Sequence, residues 1–208
     1  MLSNGDSPES IVKNIGKLTL NDNPPSGNTS PAASFAELEQ APKSPATELG
    51  VWTKVTSDKS VLDHLFQLYF SWVHPVHTIF SEGQFVQSYH NGSHGESSHC
   101  SSVLVNAVCA MACHLHLSLE IDTLNFQDLS IKFSDAVRDE LSVDDSGLTM
   151  IQAFAIMFLV ESTRGNGLLA TSYLNIAAEG LSRVDPQIRI SAPDVWTSTV
   201  LGIQGLNV

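Results

Sequence analysis

Two regimes of hydrophobic patterning divide this chain near residue 57. Beyond it, apolar side chains recur every three or four positions, the spacing of a helix face. Before it, Pro, Ser, Asn, Gly and Thr dominate and no strong face forms. The first face holds Val61, Leu62, Leu65, Phe66, Tyr69 and Phe70. Ser57 or Asp58 caps it, and Pro75 stops it, because the residue before a proline avoids helical backbone. Ser81 is expected to cap a short second helix that carries Phe85 and Tyr89 and ends at Asn91-Gly92, and His94 to Ser98 reads as polar loop. A third helix opens at Ser101 or Ser102 and runs to about Leu117, with Leu104, Val105, Val108, Met111, Ala112 and Leu115 as its core face. Ala107, Cys109, Ala110 and Cys113 cover its other sides, and small residues let neighbours approach closely, so this helix is expected at the centre.

Asp122 or Thr123 is expected to cap a fourth helix with Phe126, Leu129, Phe133, Val137 and Leu141 on one stripe and Asp128, Asp135, Asp139 and Glu140 in water. After the turn Asp144-Asp145-Ser146-Gly147, Thr149 caps a fifth helix bearing Ile151, Phe154, Ala155, Phe158 and Leu159. Arg164-Gly165-Asn166-Gly167 is a tight connection, since Gly and Asn tolerate positive φ. The sixth helix carries Leu169, Tyr173, Ile176, Ala177 and Leu181, with Pro186 just beyond; Asp194 caps a seventh with Trp196 and Val200. No strand alternation of useful length occurs. The expected fold is therefore all-α: an irregular bundle of about seven helices, arranged as antiparallel pairs over residues 57–208, behind a disordered linker or tail at 1–56. The fifth and sixth helices resemble half a tetratricopeptide-like unit, but no period of ~34 residues recurs, which favours an irregular domain over a repeat array.

Composition narrows the functional classes. The chain has 208 residues, 42% of them apolar, enough for one real core plus a tail. Its net charge is −12, and residues 57–208 hold sixteen acids against six bases. Such a surface repels phosphate backbones and suits a basic partner instead. Met1-Leu2-Ser3-Asn4-Gly5-Asp6 lacks the basic and apolar parts of a secretion signal, and no apolar run reaches the ~20 residues of a membrane span. Three cysteines without a signal peptide point to reduced thiols inside the cell.

Candidate chemistry is sparse. Cys109, Cys113 and His116 share a helix face, but a closed zinc site needs a fourth ligand and no Cys-x2-Cys pair exists; buried thiols are the favoured reading. His99-Cys100 lacks any oxyanion context, the carboxylates at 139–140 and 144–145 do not converge, and the Arg164–Gly167 turn lacks a preceding strand and a P-loop lysine. Catalytic, cofactor and metal residues are thus expected to be none. Glu161 and Arg164, three apart at a helix end, can pair with each other, with backbone, or across to a neighbouring helix; an exposed or half-buried pair of little energetic worth is favoured.

Three segments, in order, resemble the fungal-specific transcription factor domain, the middle homology region of zinc-binuclear-cluster transcription factors. The first is Leu65-Phe66-Gln67-Leu68-Tyr69-Phe70-Ser71-Trp72-Val73-His74-Pro75, followed by Phe80 and Phe85. The second is the small-residue helix from Leu104 to Cys113, including Cys109. The third runs from Thr149 through Phe158 to Glu161-Ser162-x-Arg164-Gly165-Asn166-Gly167, then Tyr173-x-x-x-Ala177-Ala178. Ala177-Ala178-Glu179-Gly180-Leu181 stands where the family usually carries a Met-Ala stretch, a local departure. Phe66, Tyr69, Phe70, Trp72, His74, Pro75, Phe80, Phe85, Cys109, Cys113, Glu161, Arg164, Gly165 and Tyr173 are the positions carried over, with structural roles expected.

The resemblance implies a nuclear regulatory domain acting through partners in the transcription machinery, intramolecular contacts or a metabolite. Family members usually carry a six-cysteine cluster holding two zinc ions. No cysteine precedes Cys100, so the resemblance transfers neither zinc nor DNA binding to any position here. The family domain is longer, and the chain looks C-terminally truncated beside it. If absent helices cover Ile151, Phe154 or Leu181, poor solubility or an oligomer is expected. The rivals are a cytoplasmic tetratricopeptide-like scaffold, which irregular helix lengths and a buried Leu65–Phe85 segment would count against, and a small-molecule or catalytic protein built on the cysteine–histidine helix.

Overall fold

A computed structural model describes residues 52–91, 99–117 and 124–206. Most of the expected tail, the loop at 94–98 and the expected caps Asp122 and Thr123 lie outside the described residues. Eight α-helices and no strand occur among the described residues.

Helix α1 spans Lys59–Leu68, and Asp58 caps it by accepting from the Ser60 amide at 2.9 Å. Its last turn widens into a π-helical segment, Tyr69–Val73, closed by the His74 amide donating to the Tyr69 carbonyl at 3.0 Å. Helix α2 is Glu82–Asn91. Helix α3, Ser102–Cys113, starts where the Ser101 hydroxyl accepts from the Leu104 amide. It ends four residues short of the expected Leu117, as His114 and Leu115 donate to the Met111 and Ala112 carbonyls in a tightened last turn. Helix α4 is Phe126–Glu140, α5 Leu148–Thr163, α6 Gly167–Arg183, α7 Pro186–Ser191 and α8 Pro193–Gly205.

Three caps differ from expectation. Asn125 caps α4, its Oδ1 accepting from the Gln127 and Asp128 amides. Gly147, not Thr149, precedes α5: its carbonyl accepts from Met150 and Ile151, while Asp145 fixes its own amide at 2.7 Å. Pro193, not Asp194, opens α8, because proline has no N–H to satisfy and its fixed φ suits the first helical position. The extra helix is α7, which Asp185 caps and Pro186 opens by the same logic.

Helix α3 occupies the centre, as its small residues foretold. Every residue from Val103 to Cys113 is buried, with α1, α4 and α5 packed around it. Helix α5 is nearly as enclosed, between α3, its hairpin partner α6, and α8. Ile151 and Phe154 are therefore already covered, which removes the reason for expecting exposed core surface there. Leu169 is 41% exposed instead of buried. The core face of α6 centres on Ala170, Tyr173 and Ala177, and Leu169 is rotated about 100° from Ala170.

Residues just before α1 pack against the helices. Thr53 is buried, and the Trp52 indole stacks on Tyr89 and donates to its carbonyl at 3.0 Å. At the other end, α8 touches the loop before α2 directly. A Cβ at Gly202 would lie 2.5 Å from the Thr78 carbonyl oxygen and 2.7 Å from the Ile79 Cα, so only glycine permits this approach.

Candidate functional site: a buried ion network beside an aromatic cluster

At the end of α5, Glu161 is 1% exposed, a position where an unpaired carboxylate would be very costly. It is not unpaired. Its Oε1 accepts from Arg164 Nη1 at 2.9 Å and from Arg138 Nη2 at 3.1 Å, and its Oε2 accepts from Asn166 Nδ2 at 2.6 Å. Burial acts to raise the Glu161 pKa, but the Asn166 bond, the Arg164 charge and the two arginine bonds outweigh it, leaving the carboxyl below its ordinary value. Arg138, on α4, also holds Asp135 at 2.5 Å. Its own burial disfavours its charge, and bonds to Tyr173 and Glu161 more than restore it.

Arg164 extends the network toward α4. Its Nη2 donates to the Ser130 carbonyl, the Ser130 hydroxyl and the Ser134 hydroxyl at 3.2, 2.9 and 2.9 Å. Ser134 donates its own proton to the Ser130 carbonyl at 2.7 Å. Ser130 donates its single proton to the Ala110 carbonyl of α3, so the 3.0 Å contact with His114 requires a proton on His114 Nε2. Burial lowers the His114 pKa, the Arg164 charge lowers it further, and Glu161 opposes them. His114 is therefore a neutral donor at pH 7. Both Glu161 oxygens and the Arg164 fork are engaged, so this arrangement braces α3, α4, α5 and α6.

The expectation of an exposed or half-buried Glu161–Arg164 pair is thus corrected. Periodicity could not reveal a partner from α4 that closes over the pair. A usable signal was nevertheless present: Ser130, Ser134 and Arg138 recur every four residues beside the Phe133 and Val137 stripe. Gly165 takes φ +81°, the left-handed turn expected of it, and lets the Asn166 amide reach back to the Glu161 carbonyl at 2.8 Å.

A second cluster joins α1, the π-helical turn and α2. Phe66 meets Phe85 and Tyr89 edge-on at 5.5 and 4.9 Å, Tyr69 stacks on Phe80 at 5.9 Å, and Phe70 contacts Phe80 and Phe85. His74 Nε2 donates to the Phe80 carbonyl at 2.8 Å and ties the loop after Pro75 back onto the cluster. Two of the carried-over positions stay outside it. Pro75 is exposed, and Trp72 is 68% exposed because the wide turn rotates it away from the core.

The cysteines lie in the core. Cys100, Cys109 and Cys113 are buried free thiols. Burial pushes Cys100 and Cys113 up to about 12, and Cys109 well above its ordinary value. His116 pairs with His64 at 3.0 Å and stacks on Phe126. The chain's three cysteines therefore do not fit a six-cysteine zinc cluster. Among the described residues no helix is long and apolar enough to cross a membrane.

Residues 66–186, more than half of the chain, match the model of the fungal specific transcription factor domain. That span takes in the aromatic cluster and the whole ion network. Among curated proteins, the chain is 43% identical over 63 residues to the nitrogen assimilation transcription factor nirA of Emericella nidulans, covering 30% of this chain and 7% of that protein. It is 36% identical over 67 residues to the nitrogen assimilation transcription factor nit-4 of Neurospora crassa, covering 30% and 6%. It is 26% identical over 116 residues to the notoamide biosynthesis transcriptional activator notL' of Aspergillus versicolor, covering 55% and 18%. The matched stretches thus span less than a fifth of these relatives' own lengths. No solved structure matches.

Proposed function

Because this chain belongs to the family of the fungal specific transcription factor domain, we propose that its helical unit is the regulatory middle region of a fungal transcription regulator. It acts without catalysis, in the nucleus, through contacts with partner proteins or a small effector. The match over residues 66–186 carries this reading, and it falls on a braced helical core. Helix lengths from 6 to 17 residues and a Leu65–Phe85 stretch anchored by buried Tyr69, Ile79 and Phe80 argue against a regular repeat scaffold.

This polypeptide is proposed to hold no zinc and to read no DNA itself. An acidic surface and three buried thiols support that. The test is to tether the full chain to a heterologous DNA-binding domain in a fungal host and measure a reporter. Altered transcription relative to the tether alone is expected, with loss of the effect in Arg164→Ala. A reporter unmoved by the tethered chain would overturn the regulatory reading, and stoichiometric zinc in the purified chain would overturn the cofactor reading.

A further inference from the structure

The connection between α4 and α5 carries acids on both sides of a single hydroxyl: Asp139-Glu140-Leu141-Ser142-Val143-Asp144-Asp145. Helix α4 has ended there. Leu141 takes φ −64° and ψ 128°, which is extended backbone, and the chain is helical again only from Leu148. Ser142, Val143, Asp144 and Asp145 are all exposed. The connection is lightly held: the Asp145 amide donates to the Ser142 carbonyl at 3.3 Å, and Asp145 fixes the Gly147 amide. Ser60 and Ser182 also have an aspartate three residues on, but both lie within helices, their hydroxyls donating to Asp58 and to the Glu179 carbonyl. Ser142 lies outside a helix, where the backbone is free to extend into a kinase cleft.

An arginine without an anion stands beside it. Of the four arginines in residues 57–208, Arg138 and Arg164 hold Glu161, and Arg189 lies over the Trp196 ring at 4.6 Å. Arg183, in the last turn of α6, instead donates from Nη2 to the Val143 carbonyl at 2.8 Å. Among the described residues no carboxylate pairs with it, although Glu179 lies one turn before it and Asp144 follows the carbonyl it holds. Its Nη1 and Nε have no acceptor among those residues either. Val143 directly follows Ser142, with about 3.8 Å between their α carbons. A phosphate on Ser142 therefore comes within reach of a guanidinium whose remaining donors are uncommitted, and the planar fork of arginine matches a phosphate edge. The neighbouring carboxylates repel such a group, which makes Arg183 the residue that decides where it settles.

We propose that Ser142 is a phosphorylation site for an acid-directed protein kinase, with Arg183 as the receiver of the phosphate. Asp144 and Asp145, two and three positions on, meet the basic substrate groove of the kinase, and Asp139 and Glu140 extend the acidic stretch upstream. The Ser142 Oγ forms a bond to the γ-phosphorus of ATP as the bond from that phosphorus to the β,γ-bridging oxygen breaks. The hydroxyl proton passes to the kinase's base, and ADP leaves. The product carries roughly two negative charges and ties the α4–α5 connection to the end of α6. This site goes beyond the regulatory reading and does not rest on it.

The test incubates the full chain with ATP and either casein kinase 2, an acid-directed enzyme, or protein kinase A, a base-directed one. Peptide fragmentation then reads the occupancy of Ser142. Casein kinase 2 alone should place phosphate there, and Ser142→Ala should remove it from that peptide. Asp144→Asn combined with Asp145→Asn should slow the transfer by about tenfold or more, with unchanged thermal unfolding, because asparagine keeps a side-chain oxygen for the Gly147 amide. Phosphorylated wild type should lose the Ser142 phosphate to alkaline phosphatase about tenfold more slowly than phosphorylated Arg183→Gln. No phosphate on Ser142, equal labelling by the two kinases, or an unchanged rate in the double variant would overturn the site. Equal phosphatase rates would overturn Arg183 as the receiver.

Discussion

Three donors converge on the single desolvated carboxylate of Glu161. Glu161→Gln should destabilise the protein by ~3–5 kcal/mol, read from urea unfolding, since it leaves Arg164 held among buried hydroxyls without its counter-charge. The same network makes stability depend on pH. His114 has a folded pKa below its ordinary 6.5, so between those values the unfolded chain binds a proton that the folded chain does not. Stability therefore falls as pH drops below 6.5, and falls again below the ordinary 4.5 of Glu161 as that carboxylate protonates. His114→Gln keeps a donor at the Nε2 position and removes the titration. It should flatten the slope of unfolding free energy just below pH 6.5, leaving the part from His99, which burial also lowers. The thiols give a third residue-scale expectation: native Cys109 and Cys113 should react with maleimide at pH 8 roughly a thousandfold slower than in urea. Fast native labelling would contradict their enclosure.

At the scale of elements, apolar spacing located the helices but not their ends. The stripe of Phe126, Phe133 and Val137 was legible because one face of α4 meets one core. The cap at Asn125 was not, because Asp122, Thr123 and Asn125 are all good N-caps and tertiary packing chooses among them. Nor could spacing alone reveal the brace on Glu161, since Arg138, which closes over it from α4, lies 23 residues away in sequence. The close approach of α8 was equally hidden: Gly202 and Gly205 look alike in sequence, yet only Gly202 abuts backbone. Gly202→Ala should cost ~1–3 kcal/mol by forcing α8 off the Thr78–Ile79 segment. Gly205→Ala, with nothing within 4 Å of its added carbon, should be neutral or slightly stabilising. Matched melting curves of the two variants check this pair.

For the whole molecule, the charge balance becomes the governing quantity. Sixteen acids against six bases in residues 57–208 repel one another across the surface. Raising ionic strength from about 0.05 to 0.3 M should therefore raise the melting temperature by a few degrees. A flat response would mean that local pairing already cancels the repulsion. Meanwhile the arrangement of buried α3 and α5 with hairpin partner α6 was largely foreseeable from small and apolar residues alone.

The π-helical turn at Tyr69–Val73 sets the phase of everything that follows it. One additional residue inside a single turn rotates the downstream chain by about 100° relative to a continued α-helix. Tyr69, at the start of the turn, faces the Phe80 ring, while beyond it Trp72 points to solvent and His74 reaches the Phe80 carbonyl, all within six positions. Deleting Ser71 would restore ordinary winding and rotate Trp72 and His74 together by about 100° relative to α1. The length of this stretch is thus constrained as strictly as the identity of its aromatic residues, although Ser71 itself is exposed.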